Sequence, residues 1–260
     1  MQGEDIILTT QSFCGILKEI NINLNWGKSM YLYETHLHTN PVSKCARATV
    51  RESLEYYKSA GYTGVFMTDH FIDANIAVEV RELPYDEKIR FYFSAYEEGV
   101  KIGEEIGLDV FPSFEMSCGS MAHILVYGID MEWCLAHEDM DKTNKIELMT
   151  MMIEDGAFLV QAHPFRTVKA EIRLYPRHVH GVEIFNASRT EFENKLAVQY
   201  CENYGLLTFA GSDNHSGGKK TVFGGVATEE KVRDVQHFVE MAKEGKVKPF
   251  VRDENGIRYL

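Results

Sequence analysis

Strand-like runs recur along this chain at near-regular intervals, and that rhythm decides most of what it can build. Runs at 31–35, 63–68, 110–114, 123–127, 157–161, 181–185, 206–210 and 222–227 are short, apolar and rich in β-branched or aromatic residues. Residues 49–60, 87–106, 143–155, 192–204 and 231–244 carry helical spacing instead, and Gly61 and Gly107 stop the first two. Alternation of this kind predicts a mainly parallel sheet, and seven or eight such units predict a closed α/β barrel. A doubly wound open sheet is the competing architecture. No GxGxxG, and no GxxxxGK followed by Ser or Thr, comes after the first strand, so its nucleotide-cradling forms lose their support. With no internal repeat, linker or low-complexity tract, residues 30–260 read as one domain. Residues 1–29, ahead of Met30 and its apolar run, read as an N-terminal appendage.

Composition removes several partner classes. The 27 basic residues against 39 acidic ones give a formal charge of −12 and a pI near 5.3. A chain of that balance lacks the broad basic surface that tracks phosphates, so no nucleic-acid partner is expected. No apolar run approaches the 18 or so residues of a membrane span, so no membrane partner is expected either. Cys14, Cys45, Cys118, Cys134 and Cys201 are odd in number and form no CxxC pair. They read as reduced thiols, and the acidic MQGEDIILTT start is unlike a secretory signal, which together predict a cytoplasmic protein.

The chemistry collects where the strands end. His36-Leu37-His38 follows the first strand, and two residues of extended chain put both imidazoles on one face. His70 closes the second strand, Glu115 the third, His163 the fifth, and Asp213 and His215 follow the seventh, while His123 opens the fourth. Six of the ten histidines and two carboxylates therefore fall at strand–loop junctions, where parallel α/β barrels build their active sites. Eight such groups in one place require cations to neutralise and order them. His178 and His180 precede the strand at 181–185, which puts them at the opposite end in a structural role, and His137 and His237 lie in charged helical stretches and read as solvated.

Taken in order, HLH, TDH, a mid-chain Glu, an isolated His, AHP, GVEIFNA and GSDNH resemble the PHP (polymerase and histidinol phosphatase) superfamily over residues 30–250. The resemblance implies a distorted (β/α)7 barrel with two or three divalent ions (zinc, manganese or iron) at the C-terminal ends of the strands. It implies hydrolysis of phosphoesters, with water activated between bridging cations. Carried over, one ion would take His36, His38, Glu115 and Asp213, and a second would share Glu115 and take His123 and His163. A third would take His70, His215 and a histidine some six residues past HxH, where this chain has Lys44 instead. That third site is then empty, weak, or completed by the Cys45 thiolate, and Lys44 would meet a phosphate as a point charge. Arg166 and Arg189 are candidates to fork onto the phosphate, and His70 or His215 to pass a proton to the leaving group where no third ion binds. A small phosphorylated metabolite, such as a nucleotide, a bisphosphate or a histidinol-phosphate-like molecule, is the expected substrate. The alternatives are a 3′-5′ exonuclease-type phosphodiesterase, a C–N hydrolase or deaminase on a related metal barrel, and a metal-bound but catalytically idle regulatory domain.

Overall fold

Local chemistry sets the helices and nonlocal pairing sets the sheet. The structure, a computed structural model, describes residues 30–119, 122–167 and 171–260; the appendage expected over residues 1–29 lies outside them. In chain order the elements are β1 (Tyr31–Leu37), α1 (Val50–Ser59), β2 (Gly64–Met67), α2 (Tyr85–Ile106), β3 (Asp109–Ser117), β4 (His123–Tyr127), α3 (Met131–Ala136), α4 (Lys145–Glu154), β5 (Phe158–Ala162), β6 (Gly181–Asn186), α5 (Glu191–Tyr204), β7 (Leu207–Gly211), β8 (Phe223–Thr228), α6 (Val235–Lys243), β9 (Lys248–Asp253) and β10 (Gly256–Tyr259). Thr49 and Glu52 close a capping box on α1, and Thr190 and Glu193 repeat it on α5. Gly107 and Gly205 end α2 and α5 in the left-handed region, at φ 71° and 65°.

The ten strands form one sheet in the order β10-β9-β8-β1-β2-β3-β4-β5-β6-β7. β1–β2–β3 and β5–β6–β7 are parallel, but β4 runs antiparallel between β3 and β5, and β8, β9 and β10 are antiparallel to their neighbours. The sheet is mixed, which corrects the expectation of a mainly parallel one. The link from β3 to β4 is too short for a crossover helix, which takes a dozen residues or more, so the chain must turn back on itself. The sheet also curls. After β7 the chain returns to β1 through a parallel bridge between Leu37 and Asn214, with the His38 amide donating to the Asn214 carbonyl at 3.0 Å.

Alternation sorts the strand side chains into two layers. Leu32, Val65, Met67 and Phe114 face outward onto the helices, where Leu54, Ile89 and Phe93 complete the larger core. Tyr33, Phe66, Phe111, Tyr127, Phe158 and Phe209 fill the inside of the curl together with Phe238 of α6. Phe66 lies 4.9 Å from Phe111 and 4.2 Å from Phe238 between ring centroids, so α6 plugs this end with aromatic surface. Tyr33, Phe111 and Phe158 stand in the first halves of their strands, which leaves the opposite end of the curl to polar side chains.

Candidate metal centre

A bulge in β1 aims the HxH pair. Between Glu34 and Leu37 the register against β2 slips by one residue, so Tyr33 and His36 share the inner face that strict alternation would deny one of them. Glu34 Oε1 holds the bulge by accepting the amides of Thr35 at 3.0 Å, His36 at 2.8 Å and Ser212 at 2.9 Å. β6 slips likewise between Glu183 and Phe185. Because β4 runs antiparallel, its first residue, His123, pairs with Ala162 at the end of β5, at the same end of the curl as His36. His163 and Asp213 both adopt positive φ, 28° and 49°, a backbone state that costs about 1–3 kcal/mol outside glycine and persists where the surroundings impose it. Gly211 supplies the close approach: a Cβ there would lie 2.4 Å from Glu183 Oε1 and 2.6 Å from His36 Cβ.

These devices bring all eight strand-end groups together around Glu115. Its Oε1 lies 2.9 Å from His123 Nδ1, 3.1 Å from His163 Nε2 and 3.2 Å from His36 Nε2; its Oε2 lies 2.7 Å from His70 Nδ1 and 3.6 Å from His38 Nε2. Asp213 Oδ1 stands 3.4 Å from His38 Nε2, 3.7 Å from His36 Nε2 and 3.4 Å from His215 Nδ1. Burial alone would raise both carboxyls. The imidazoles of His123, His70 and His36 instead hold Glu115, and those of His36, His38 and His163 hold Asp213, well below the usual carboxylate range. The rings respond in opposite senses. Burial pushes His38 down, helped by its neighbours His70 and His215, whereas for His70 burial is overridden by Glu115, which carries it up to about 10.

The donor set fits divalent cations. Four-coordinate ions with bonds of about 2.0–2.2 Å separate their ligand atoms by about 3.3–3.6 Å, and the His36 and His38 Nε2 atoms lie 3.0–3.7 Å from each other and from the Glu115 and Asp213 oxygens. His70 Nδ1 and Glu115 Oε2 are buried and close, yet among the described residues neither has a hydrogen-bond partner, and His163 Nδ1 has none either. Close approach without hydrogen-bond alignment is the pattern of ligands converging on shared centres. The two HxH rings present Nε2 because Nδ1 is engaged behind: His36 Nδ1 donates to Glu183 Oε1 at 2.8 Å and His38 Nδ1 to Ser43 Oγ at 3.2 Å. Ser43 accepts that bond because its own hydroxyl is given to Asp69 Oδ1 at 2.6 Å. Glu183, Asp69, Ser43 and Glu34 are the supporting groups that a search for ligands overlooks, although TDH and GVEIFN already contain two of them.

The cluster opens into a cleft of about 420 Å³, whose lining includes Cys45, His70, Arg81, Arg166, Arg189 and His215. The Arg166 amide donates to the His163 carbonyl at 3.1 Å and the Arg189 amide to the Asn186 carbonyl at 3.0 Å, so tight turns after β5 and β6 deliver both guanidinia. The Nε of each is buried without a hydrogen-bond partner among the described residues. Lys44 is not brought in: its side chain is exposed and the cleft is lined by its neighbour Cys45 instead. His180 accepts the Leu159 amide at 3.1 Å and stacks on Phe158, at the end away from the cluster. His137 and His237, expected to be solvated, are half-buried, the first because it stacks on Trp133 at 3.8 Å and the second because its Nδ1 accepts the Arg233 amide.

No family model and no curated protein matches this sequence. Solved structures do share its fold. A two-domain protein from Bacteroides vulgatus containing a predicted PHP-like metal-dependent phosphoesterase aligns at a TM-score of 0.61 and 15% identity, over 86% of this chain and 65% of that one. An amidohydrolase from Chromobacterium violaceum aligns at 0.51 and 16% identity, over 81% and 96%. A lesion-specific endonuclease from Pyrococcus furiosus aligns at 0.51 and 12% identity, over 83% and 56%. This chain thus spans just under two thirds of the Bacteroides protein and little more than half of the endonuclease. At 12–16% identity these likenesses show a shared fold.

Proposed function

We propose that the cleft is the active site of a metal-dependent phosphoesterase acting on a small phosphorylated metabolite, built on a distorted (β/α)7 barrel of the PHP type. The observation that carries this reading is the pairing of a cluster that could hold cations with two buried guanidinium Nε atoms, unpartnered among the described residues, in one cleft. Cations need anionic ligands and so do Arg166 and Arg189, and a phosphate answers both. The cleft volume suits a ligand of metabolite size. His36, His38, Glu115 and Asp213 would hold one ion, and Glu115, His123 and His163 a second. When bound, such ions lower the pKa of water and neutralise phosphoryl oxygens. The chain's own groups do the rest: Arg166 and Arg189 orient the phosphoryl group, Glu183 and Ser43 keep the HxH imidazoles in the ligating tautomer, and Arg81 adds positive charge at the mouth.

Chelation followed by assay with an aryl phosphate tests this. Activity should vanish on metal removal and return with Zn2+ or Mn2+. Glu115→Ala and Asp213→Ala should each lose about a thousandfold or more, since each removes a charge that holds an ion. Full hydrolysis by the stripped protein would refute the reading.

A further inference from the structure

The loop between β1 and α1 sets a thiol against the His70 and His215 imidazoles in the cleft. Cys45 Sγ lies 3.1 Å from His70 Nε2 and lines the same cleft as the His215 ring. The ligand nitrogens of His38, His70 and His215 lie within 4.8 Å of one another, and the His70 and His215 rings are 5.9 Å apart. His215 Nδ1 donates to the Asp213 carbonyl at 3.1 Å, which leaves Nε2 as its free ligand atom.

The loop is held firmly. Ser43 is tied to Asp69, the Lys44 amide donates to the Asn75 carbonyl at 2.9 Å, and the Arg47 amide donates to the His215 carbonyl at 2.7 Å. Consecutive residues then alternate in direction: Ser43 is buried, Lys44 faces away and Cys45 lines the cleft. The side chain that the sequence offers as a replacement ligand is therefore the sulfur, one residue past the lysine.

We propose that Cys45, His70 and His215 form a further cation site with a thiolate ligand, selective for zinc over manganese or magnesium; this rests on reading the cleft as a metal centre. The selectivity follows from ligand softness, because one sulfur and two imidazoles favour zinc while hard ions gain little from a thiolate. On binding, the thiol proton leaves to solvent and a sulfur lone pair forms the bond to the ion, with no change of oxidation state. Water or a substrate oxygen from the cleft would complete the ion's coordination.

The full chain, stripped by chelator and titrated with Co2+, tests the site. A cobalt–thiolate bond gives an intense near-ultraviolet charge-transfer band, whereas nitrogen and oxygen ligands give only weak visible bands. The charge-transfer band should grow with one equivalent of Co2+, and Cys45→Ser should lose that band and that equivalent while keeping the visible bands. In the unmutated chain, Zn2+ but not Mn2+ should slow iodoacetamide alkylation of the exposed Cys45 thiol about tenfold or more, read by peptide mass. Visible bands without charge transfer, a charge-transfer band that survives Cys45→Ser, or alkylation indifferent to Zn2+ would overturn the thiolate site and leave the metal centre standing. Absence of cobalt binding altogether would overturn both.

Discussion

A histidine ligand is only as dependable as the group behind it, and behind His36 stands Glu183, brought from 147 residues away. One carboxylate serves three partners: Oε1 accepts from His36 Nδ1 at 2.8 Å, and Oε2 accepts the His163 amide at 3.0 Å and Asn186 Nδ2 at 2.9 Å. Glu183→Gln should therefore weaken metal binding about 10–100-fold while leaving the fold intact, because an amide can misdirect the imidazole and carries no charge to strengthen it. Competition with a chromophoric zinc chelator measures this, and unchanged affinity would remove Glu183 from the supporting set. At this scale the clustered groups were legible and their supports were not. Histidines at strand ends show themselves by position, whereas a supporting carboxylate is an ordinary buried residue until the fold places it. Lys44 and Cys45 mark the same boundary. Which of two adjacent residues faces the cleft depends on hydrogen bonds that the loop donates to Asp69, Asn75 and His215, and no local pattern encodes those.

Apart from the six-residue α3, which the sequence reading does not contain, the helices were readable because their ends are decided within a few residues, as the Thr49 and Thr190 capping boxes and the glycine stops of α2 and α5 show. The direction of β4, the slips in β1 and β6, and the β9–β10 hairpin were not, since register is set by partners distant in sequence. β10 is exposed throughout, so it carries no apolar pattern to find. The α5 capping box reaches further than its own helix. Glu193 Oε1 accepts the amide and hydroxyl of Thr167, both at 2.7 Å, and Oε2 accepts the amide and hydroxyl of Thr190, so α5 anchors the turn that carries His163 and Arg166. Burial would raise this carboxyl, but the four donors outweigh it and hold it at about 2, below its ordinary 4.5. A depressed carboxyl stabilises the folded state fully above its unfolded pKa, and the gain is lost as pH falls from 4.5 through about 2. Glu193→Ala should cost about 1–2 kcal/mol at neutral pH. The gap in melting temperature between the two proteins should close as the pH is lowered across that window. A gap that stays constant with pH would mean that the carboxylate charge plays no part.

Across the whole molecule, charge and site point in opposite directions. The chain carries −12 overall, yet its cleft gathers Arg81, Arg166 and Arg189 around the metal-binding cluster. A polyanion approaching this protein meets a repulsive field over most of the surface, and a single phosphate entering the cleft meets three guanidinium groups. The fold does not choose between such substrates, since proteins sharing it include one that contains a predicted PHP-like metal-dependent phosphoesterase and one that is a lesion-specific endonuclease. The charge distribution does favour one. Duplex or single-stranded DNA should show no measurable binding at physiological salt, because few counterions are released where so few cations line the surface. Metal-loaded protein should hydrolyse mononucleotides or other monophosphates, with a KM that rises only modestly with ionic strength, since the half-buried Arg166 and Arg189 are screened less than surface charges. Filter binding and a salt series on the hydrolysis rate measure the two halves separately. Tight oligonucleotide binding with a steep salt slope, together with cleavage of oligonucleotides and none of mononucleotides, would transfer the same metal centre to a nucleic-acid phosphodiesterase.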